Sequence, residues 1–304
     1  MSAKPRILLL GGSGQLGHEL HHMFVGRGEV VAPSRSRADL ANPQSIRAII
    51  RGSKPDVVLN AAAYTAVDRA ESESELAMAI NGTAPRVMAE EAARSNAILV
   101  HYSTDYVFNG AKSGAWTEDD APDPLNTYGR TKREGEKGIE ETGGAYLIFR
   151  TSWVYSARGY NFLLTMLRLG ATRQTIDVVD DQFGAPTSAR SVAAATRNIL
   201  NGIFDGRYGS QSEWAGLYHM TCSGKTSWFG FARAIFAQQS RPGAKAPAIH
   251  PIPTAQYPTP ARRPANSVLS NEKLLARFGV QLDSWEAAMK PVMQELAAFE
   301  IQPA

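Results

Sequence analysis

The sequence contains a single cysteine among its 304 residues, Cys222. One thiol cannot form an internal disulfide or a zinc centre of several thiolates, so we interpret Cys222 as a small buried apolar residue in a reducing compartment. A long apolar run is also lacking near the start, because the run at 7–10 ends at Gly11 and is too short for a signal-peptide core or a membrane span. These absences predict a cytoplasmic protein without a membrane partner.

An excess of charge of one sign is lacking as well. Lysine and arginine number 32 against 29 acidic residues, and they form no long run of one sign. Such runs are typical of proteins that bind nucleic acid or a membrane surface. We therefore expect no nucleic-acid partner. The hydrophobic content of 43% is sufficient for the core of one large domain or two smaller ones.

Short apolar segments rich in β-forming residues alternate with helical stretches in the first half of the chain. The segments lie at 7–10, 29–32, 56–60, 98–103 and 145–151. Repeated strand and helix predict an α/β fold, a parallel sheet with helices on both faces. Several segments are apolar at consecutive positions, which is typical of strands that are covered on both sides.

The stretch "GGSGQLGHELHH" at 11–22 follows the first of these segments. Gly11, Gly14 and Gly17 form a dinucleotide-binding fingerprint at the start of a helix, where glycines allow a tight turn and backbone N–H groups meet a pyrophosphate. Gln15 and Leu16 lie between the last two glycines and belong to the predicted cofactor contact.

The same stretch also spells the HExxH of zinc hydrolases through His18, Glu19 and His22. On a helical wheel both histidines lie opposite the apolar stripe of Leu16 and Leu20, so they are expected to face solvent. A catalytic zinc needs three protein ligands, and no third ligand is evident. We therefore reject the zinc hypothesis and expect no metal.

The loop after the second strand indicates which nicotinamide cofactor is used. NAD-specific folds usually place an acidic residue there to bind the ribose 2′-hydroxyl, but this chain has Ser34, followed by Arg35 and Arg37. A hydroxyl beside a guanidinium can bind the 2′-phosphate of NADPH through charge-assisted hydrogen bonds. We predict a preference for NADPH; use of NADH stays open, as does the alternative that these arginines are merely solvated.

Tyr128 and Lys132 lie four residues apart in a helical stretch, so their side chains emerge on one face. A nearby ammonium can stabilise the phenolate of a tyrosine and make it an effective acid or base. Upstream, the strand at 98–103 presents Ser103, Thr104 and Asp105 at its carboxyl end, where open α/β sheets bind ligands. Turn formation is the alternative role of these three residues.

The alternation of strands and helices weakens after residue 151. The proline-rich segment 244–264 predicts an irregular connecting loop, and helical patterning returns at 285–299. We predict a dinucleotide-binding domain at 1–152, to which 171–202 returns. The remainder, 203–304 with 153–170, forms a smaller, partly interleaved substrate-binding lobe.

Together these motifs resemble the extended short-chain dehydrogenase/reductases, and within them the reductases of nucleotide-linked 4-keto-6-deoxy sugars. The resemblance covers almost the whole chain and rests on "GGSGQLG", "DVVLNAAAYTAVDRAE", "HYSTDYVF", "YGRTK", "FRTSWVY", "DQFGAPT" and "PTPARRPANS". It implies a Rossmann-like doubly wound sheet and reduction of the C4 ketone by NADPH, yielding an activated sugar for cell-surface polysaccharide.

The resemblance also implies roles for individual residues. Tyr128 would protonate the emerging alkoxide, Lys132 would lower the pKa of that tyrosine and hold the nicotinamide ribose, and Thr104 would bind the carbonyl oxygen. Further family positions that contact the cofactor correspond to Asp39, Leu40, Ala63, Tyr64, Thr65 and Tyr102. Those that contact the substrate correspond to Asp105 and Trp153, with Arg262 and Arg263 available for the diphosphate. Core packing for Trp153 and a solvated loop for the arginines are the alternatives.

Some members of the family form dimers through magnesium held by carboxylates. Glu19 and Glu295 match two of those positions, but the third is Arg190, and a guanidinium repels a cation that requires oxygen ligands. We therefore do not expect the metal-bridged dimer, and the chain is expected to be a monomer or a differently paired homodimer.

Two other functions stay open. A regulatory subunit, such as the methionine adenosyltransferase β subunit, would not need Thr104, Tyr128 and Lys132 together. A nucleotide-sugar epimerase or 4,6-dehydratase would keep NAD bound, and the dehydratases use an acidic pair where this chain has Asp105 followed by Tyr106.

Overall fold

The computed structural model describes residues 4–239 and 246–301. The strands are β1 (Arg6–Leu10), β2 (Glu29–Val31), β3 (Val57–Asn60), β4 (Ile98–Thr104), β5 (Tyr146–Thr151), β6 (Val154–Tyr155), β7 (Thr175–Val179), β8 (Phe183–Gly184), β9 (Thr187–Ser188), β10 (Gly216–His219), β11 (Thr226–Ser227) and β12 (Ala248–Ile252). The α-helices are α1 (Gln15–Phe24), α2 (Pro43–Ser53), α3 (Ser74–Met78), α4 (Ala84–Arg94), α5 (Thr127–Thr142), α6 (Phe162–Thr172), α7 (Ala189–Phe204), α8 (Gln211–Trp214), α9 (Trp228–Gln238), α10 (Glu272–Phe278) and α11 (Trp285–Ile301).

A six-stranded sheet forms the centre, in the order β10-β5-β4-β3-β1-β2. All five strand pairs are parallel. The chain leaves β1 towards β2 and returns on the other side to β3, so the topological switch point lies between β1 and β3. This doubly wound, Rossmann-like α/β fold confirms the predicted class. Its strand β10 lies within 203–304, so that range is not purely a substrate lobe as predicted.

Side chains of the central strands alternate between two apolar cores, one on each face of the sheet. In β1, Ile7 and Leu9 face the core that contains helices α1 and α7, whereas Leu8 and Leu10 face the core that contains α2 and α4. All four are at most 1% exposed. Consecutive apolar residues therefore reflect coverage on both faces.

Local signals in the sequence explain where the helices begin. Asn42 caps α2 by accepting from the backbone N of Gln44 at 2.9 Å, with Pro43 in the first turn. Asn126 caps α5 by accepting from the backbone N of Gly129 at 2.8 Å. This cap fixes the first turn of the helix that carries Tyr128.

Beyond residue 151, the described residues add three two-stranded sheets, β7 with β12, β8 with β11 and β6 with β9. The predicted absence of regular structure in 244–264 is wrong for β12, which pairs with β7 in parallel register. Pro251 is tolerated because a two-stranded sheet has only edge strands, whose outward N–H groups need no partner. Residues 244–245 lie outside the described residues. Within the described part of the chain, no helix combines the length and apolarity needed to cross a bilayer.

Candidate active site

The glycine-rich turn lies at the switch point of the sheet. Gly11 has φ +80°, and a Cβ atom there would lie 2.7 Å from the backbone N of Ala62. A Cβ atom on Gly17 would overlap the carbonyl oxygen of Gly11. Both positions therefore require glycine, and Gly14 caps α1 without a side chain that could obstruct its N–H groups. This bare, positive helix end fits a dinucleotide pyrophosphate.

The side chains between the glycines are already engaged inside the protein. Gln15 accepts from Asn161 Nδ2 at 2.8 Å and donates to the carbonyl oxygen of Tyr160 at 3.3 Å, and Leu16 is buried in the core. The structure thus leaves their backbone, not their side chains, for the predicted cofactor contact.

The HExxH residues form no cluster suited to a metal. His22 is exposed as expected, but His18 is partly buried, and Glu19 is 7% exposed with its carboxylate 3.7 Å from Arg190 Nε. Burial raises the pKa of Glu19, and Arg190 opposes this shift. Among the described residues no group of three or more His, Cys, Asp or Glu side chains could hold a metal ion.

The loop after β2 is open to solvent. Ser34, Arg35 and Arg37 are exposed, and the backbone N of Arg37 donates to the carbonyl oxygen of Ser34 at 3.0 Å, which forms a turn. Within 4–239 and 246–301, neither guanidinium takes part in a salt bridge. Asp39 and Leu40 follow, where Asp39 Oδ1 accepts from the backbone N of Ala41 and Leu40 is buried.

The segment 63–65 follows β3, on the other side of the switch point. Its backbone is held by Asn81, whose Oδ1 accepts from the N of Tyr64 at 2.8 Å and whose Nδ2 donates to the carbonyl oxygen of Tyr64 at 3.0 Å. The Tyr64 hydroxyl donates to Glu73 at 2.6 Å. Asn81 was missed from the sequence, because it lies in a π-helix, Ala79–Thr83, whose irregular period has no pattern signal.

Thr104, Asp105 and Tyr128 meet at the carboxyl end of β4. Thr104 Oγ1 donates to Asp105 Oδ1 at 3.0 Å, accepts from the backbone N of Tyr106 at 3.1 Å, and lies near enough to the Tyr128 hydroxyl to act on the pKa of that phenol. Burial raises the pKa of Asp105 to about 7, although hydrogen bonds from Ser267 and Thr104 oppose the shift. Ser103 is buried, 4% exposed. The structure therefore brings Thr104, Asp105 and Tyr128 together and leaves Ser103 out of this group.

Lys132 lies one turn further along α5 and is 1% exposed. Its ammonium donates to the carbonyl oxygen of Tyr102 at 2.6 Å, and Nζ lies 3.1 Å from His101 Nε2. Burial lowers the pKa of Lys132 to about 8, and the negative charge of Glu136 opposes this.

The expected lowering of the Tyr128 pKa by Lys132 is wrong for this structure. Burial raises the pKa of Tyr128 to about 12, the hydrogen bond with Thr104 works in the opposite direction, and Lys132 does not contribute. The physical reason is that the Lys132 ammonium is bound to β4 through Tyr102 and His101. The ring of Tyr102 also differs from expectation, because it is buried and its hydroxyl lies 2.9 Å from Thr196 Oγ1.

A buried ion pair lies below Lys132. Glu136, one further turn along α5, accepts from Arg150 Nε at 2.8 Å and Nη2 at 2.7 Å, and the side chains are 0% and 2% exposed. Burial acts to raise the pKa of Glu136, but the charges of Arg150 and Arg133 hold it below its usual value. The pair fixes a negative charge beneath the lysine.

Trp153 was expected either to contact the substrate or to pack in the core, and its surroundings fit part of each role. Its ring stacks on Trp228 with centroids 3.4 Å apart, as packing predicts, yet it stays partly exposed. It has φ +47°, which is rare for a bulky residue, and a Cβ atom on Gly184 would lie 2.6 Å from its ring. The glycine of "DQFGAPT" thus makes room for the indole.

The arginines of "PARRP" have different environments. Arg263 donates to Asp68 at 2.8 Å and is only partly exposed. Its guanidinium therefore stabilises the fold and is not available for the diphosphate as expected. Arg262 is exposed, and its carbonyl oxygen accepts from Asn126 Nδ2 at 2.8 Å. The helix cap of α5 therefore also positions the loop that presents Arg262.

A doubly wound sheet, a glycine-rich turn at its switch point and a Tyr-x-x-x-Lys helix beside β4 are the features of the extended short-chain dehydrogenase/reductases. Comparison with known sequences is more specific. The chain belongs to the RmlD substrate binding domain family, whose model matches residues 5–298.

Individual relatives support this assignment over nearly the whole chain. The dTDP-4-dehydrorhamnose reductase of Burkholderia thailandensis is 49% identical over 295 residues, which cover 96% of this chain and 99% of the relative. The crystal structure of the Clostridium acetobutylicum dTDP-4-dehydrorhamnose reductase has a TM-score of 0.88 at 36% identity. That of the Bacillus anthracis enzyme in complex with NADP has a TM-score of 0.86 at 32% identity. Both comparisons cover 96% of this chain and 99% of the other. The resemblance found in the sequence is confirmed.

Proposed function

We propose that the chain reduces the C4 ketone of dTDP-4-dehydro-L-rhamnose to dTDP-L-rhamnose, with NADPH as the hydride donor. The observation that carries this function is the meeting of the Thr104 and Tyr128 hydroxyl groups at the carboxyl end of β4, with buried Lys132 one helical turn further on. The relatives from B. thailandensis and C. acetobutylicum, both dTDP-4-dehydrorhamnose reductases, support the substrate. The B. anthracis enzyme crystallised with NADP supports the cofactor.

Bound NADPH supplies a hydride to the carbonyl carbon. Gly11, Gly14 and Gly17 admit its pyrophosphate, and the exposed Ser34 and Arg35 bind the 2′-phosphate. Further contacts come from the first turn of α1, the segments after β2 and β3, and the catalytic face of α5, namely Gln15, Leu16, Asp39, Leu40, Ala63, Tyr64, Thr65, Tyr128 and Lys132.

Tyr128 acts as the general acid. A phenol with a pKa of about 12 stays protonated at neutral pH, which suits a group that must give its proton to a strongly basic alkoxide. Thr104 hydrogen-bonds the carbonyl oxygen. Lys132 binds the nicotinamide ribose through its buried ammonium.

The remaining contacts select the substrate. Asp105 binds the sugar beside Thr104, Trp153 presents the exposed part of its indole to the sugar, and Arg262 meets the diphosphate. Arg262 suits this task because it is exposed on a loop whose backbone is held by Asn126.

The test is an assay of the purified chain with NADPH and dTDP-4-dehydro-L-rhamnose generated in situ by the preceding enzymes. We expect one NADPH consumed per dTDP-L-rhamnose formed, with the product identified by NMR. Tightly bound NAD that copurifies with the chain, together with isomerisation or dehydration of the sugar, would favour an epimerase or dehydratase instead. A stoichiometric partner protein without turnover would favour a regulatory subunit.

A further inference from the structure

Three buried polar side chains from separate elements form a chain of contacts that ends at Lys132. Asn60 at the end of β3, His101 in β4 and Lys132 in α5 are each 1% exposed. Asn60 Nδ2 lies 2.9 Å from His101 Nδ1, and His101 Nε2 lies 3.1 Å from Lys132 Nζ. Neither Asn60 nor His101 has a role in the reaction as described above.

The protonation of His101 follows from its surroundings. Burial, and then the charge of Lys132, lower the pKa of His101 well below its usual value, so the ring is neutral and only one nitrogen carries a proton. An ammonium can only donate, so Nε2 must accept from Lys132 and Nδ1 must carry the proton. A half-turn of the Asn60 amide then presents an acceptor to Nδ1, and it gives up the long hydrogen bond of 3.3 Å that the Asn60 oxygen accepts from the backbone N of Ala62.

We propose that His101 is a positioning residue for Lys132. The Nε2 atom of His101 and the carbonyl oxygen of Tyr102 each accept from the Lys132 ammonium, and together they fix two of its three N–H groups. One N–H group is left for the reaction centre. With its amide turned, Asn60 accepts the proton that Nδ1 carries. This inference rests on the proposed function, because it assumes that the charge and direction of the Lys132 ammonium matter for turnover.

The charges around Lys132 come from several elements. Glu136 on α5 favours the ammonium, and Arg150 on β5 and Arg133 on α5 hold Glu136 in its ionised form. Loss of the acceptor on His101 removes a hydrogen bond that only the charged lysine needs. The pKa of Lys132 would then fall further below about 8, and the ammonium would be lost at a lower pH.

The tautomer can be measured in the free wild-type protein. NMR of protein with ¹⁵N-labelled histidine distinguishes the two neutral tautomers and the cation by their ring nitrogen shifts, and a His101→Gln spectrum identifies the resonance by its loss. We expect His101 with the proton on Nδ1 and no titration at neutral pH. A proton on Nε2, or a ring that titrates near its usual pKa, would overturn the proposal without any assay of activity.

The kinetic test compares two buried histidines of the same sheet. His219 in β10 is 0% exposed, and its ring packs edge-on against Phe108. We expect His101→Phe to lower kcat about tenfold and to move the alkaline limb of the pH profile down by about one pH unit, as loss of a charge-assisted hydrogen bond implies. His101→Gln restores an acceptor and should recover most of the kcat and of the alkaline limb. His219→Phe should change neither kcat nor the position of that limb.

Equal behaviour of His101→Phe and His219→Phe in an active enzyme would contradict the positioning role. Absence of turnover in the wild type would instead contradict the proposed function. If His101→Phe does not fold, the NMR experiment on the wild type still decides the matter.

Discussion

The face of α5 that carries Tyr128 and Lys132 and the exposed loop at 34–37 belong to one candidate site, yet they are built in opposite ways. On α5 the lysine is 1% exposed, and Tyr102, His101 and the nearby Glu136 surround it. In the loop, Arg35 and Arg37 are exposed and form no salt bridge within the described residues. The fold itself positions the first group, whereas the second is available to an incoming anion.

This difference predicts how each region responds to substitution. A buried charge that loses its partner keeps its desolvation cost, so changes near α5 should affect stability and chemistry together. An exposed arginine has little effect on the folded state, so changes in the loop should affect only selectivity. The experiments that follow can break or sharpen this contrast.

The largest effect is expected for Tyr128→Phe. The phenylalanine keeps the ring and removes the proton donor, so kcat should fall about a thousandfold, within the range typical of a positioned general acid. NADPH binding, followed by fluorescence titration, should stay within about threefold of wild type because the loss concerns only the transition state.

The matched control for that variant is Tyr106→Phe. Tyr106 lies beside Tyr128 with ring centroids 5.8 Å apart. It contacts Thr104 through its backbone N, which the Tyr106→Phe change keeps, whereas Tyr128 faces Thr104 with its hydroxyl. Comparable loss of turnover in both variants would show that ring packing, not proton donation, explains the effect.

The next largest effect is expected on stability, when the buried ion pair of Glu136 and Arg150 is broken. Arg150→Met leaves Glu136 without its bidentate partner and should lower the free energy of unfolding by about 3 kcal/mol, at the lower end for buried pairs, because Arg133 remains 3.0 Å from Glu136. Urea denaturation measures this change. The double variant Arg150→Met with Glu136→Leu should recover part of the loss, since no uncompensated charge remains. No recovery would mean that packing of Arg150 against Phe108, not charge, provides the stability.

The sequence was sufficient to predict the scaffold because its signals are local. The predicted strands at 7–10 and 98–103 match β1 and β4 to within a residue, since their consecutive apolar residues are buried on both faces. The glycines of the turn were also predictable, because Gly11 and Gly17 have no room for a Cβ atom. Spacing along one helix correctly placed Tyr128 and Lys132 on the same face.

Contacts between distant segments were not predictable from such signals. Asn81 binds the backbone of Tyr64, and Asp68 binds Arg263, across 17 and 195 positions of the chain. His101 lies in an apolar strand pattern that predicts only burial. What Lys132 touches depends on the packing of α5 against β4, and that packing also determines which pKa values shift and in which direction.

A pH dependence of stability is expected from Asp105. Because burial raises its pKa to about 7, the stability that protonation provides is fully present below about pH 4 and is lost as the pH rises through 7. The free energy of unfolding of Asp105→Asn, whose amide does not titrate, should therefore rise relative to wild type by up to about 1.4 kcal/mol per pH unit in that window. Parallel curves for the two proteins would contradict the raised pKa. Any constant cost of the amide cancels in this comparison of slopes.

The smallest effect is expected in the exposed loop, for Arg35→Ala. Loss of a charge-assisted contact to the 2′-phosphate should lower the ratio of kcat/KM with NADPH to that with NADH about tenfold, while the free energy of unfolding changes by less than about 0.5 kcal/mol. Arg27→Ala is the matched control, because Arg27 is also exposed but precedes β2, at the opposite end of the strand from Arg35. An unchanged ratio in Arg35→Ala would remove the basis for NADPH preference. A large loss of stability would instead show that this loop, like α5, is held by the fold, and the contrast between the two regions would fail.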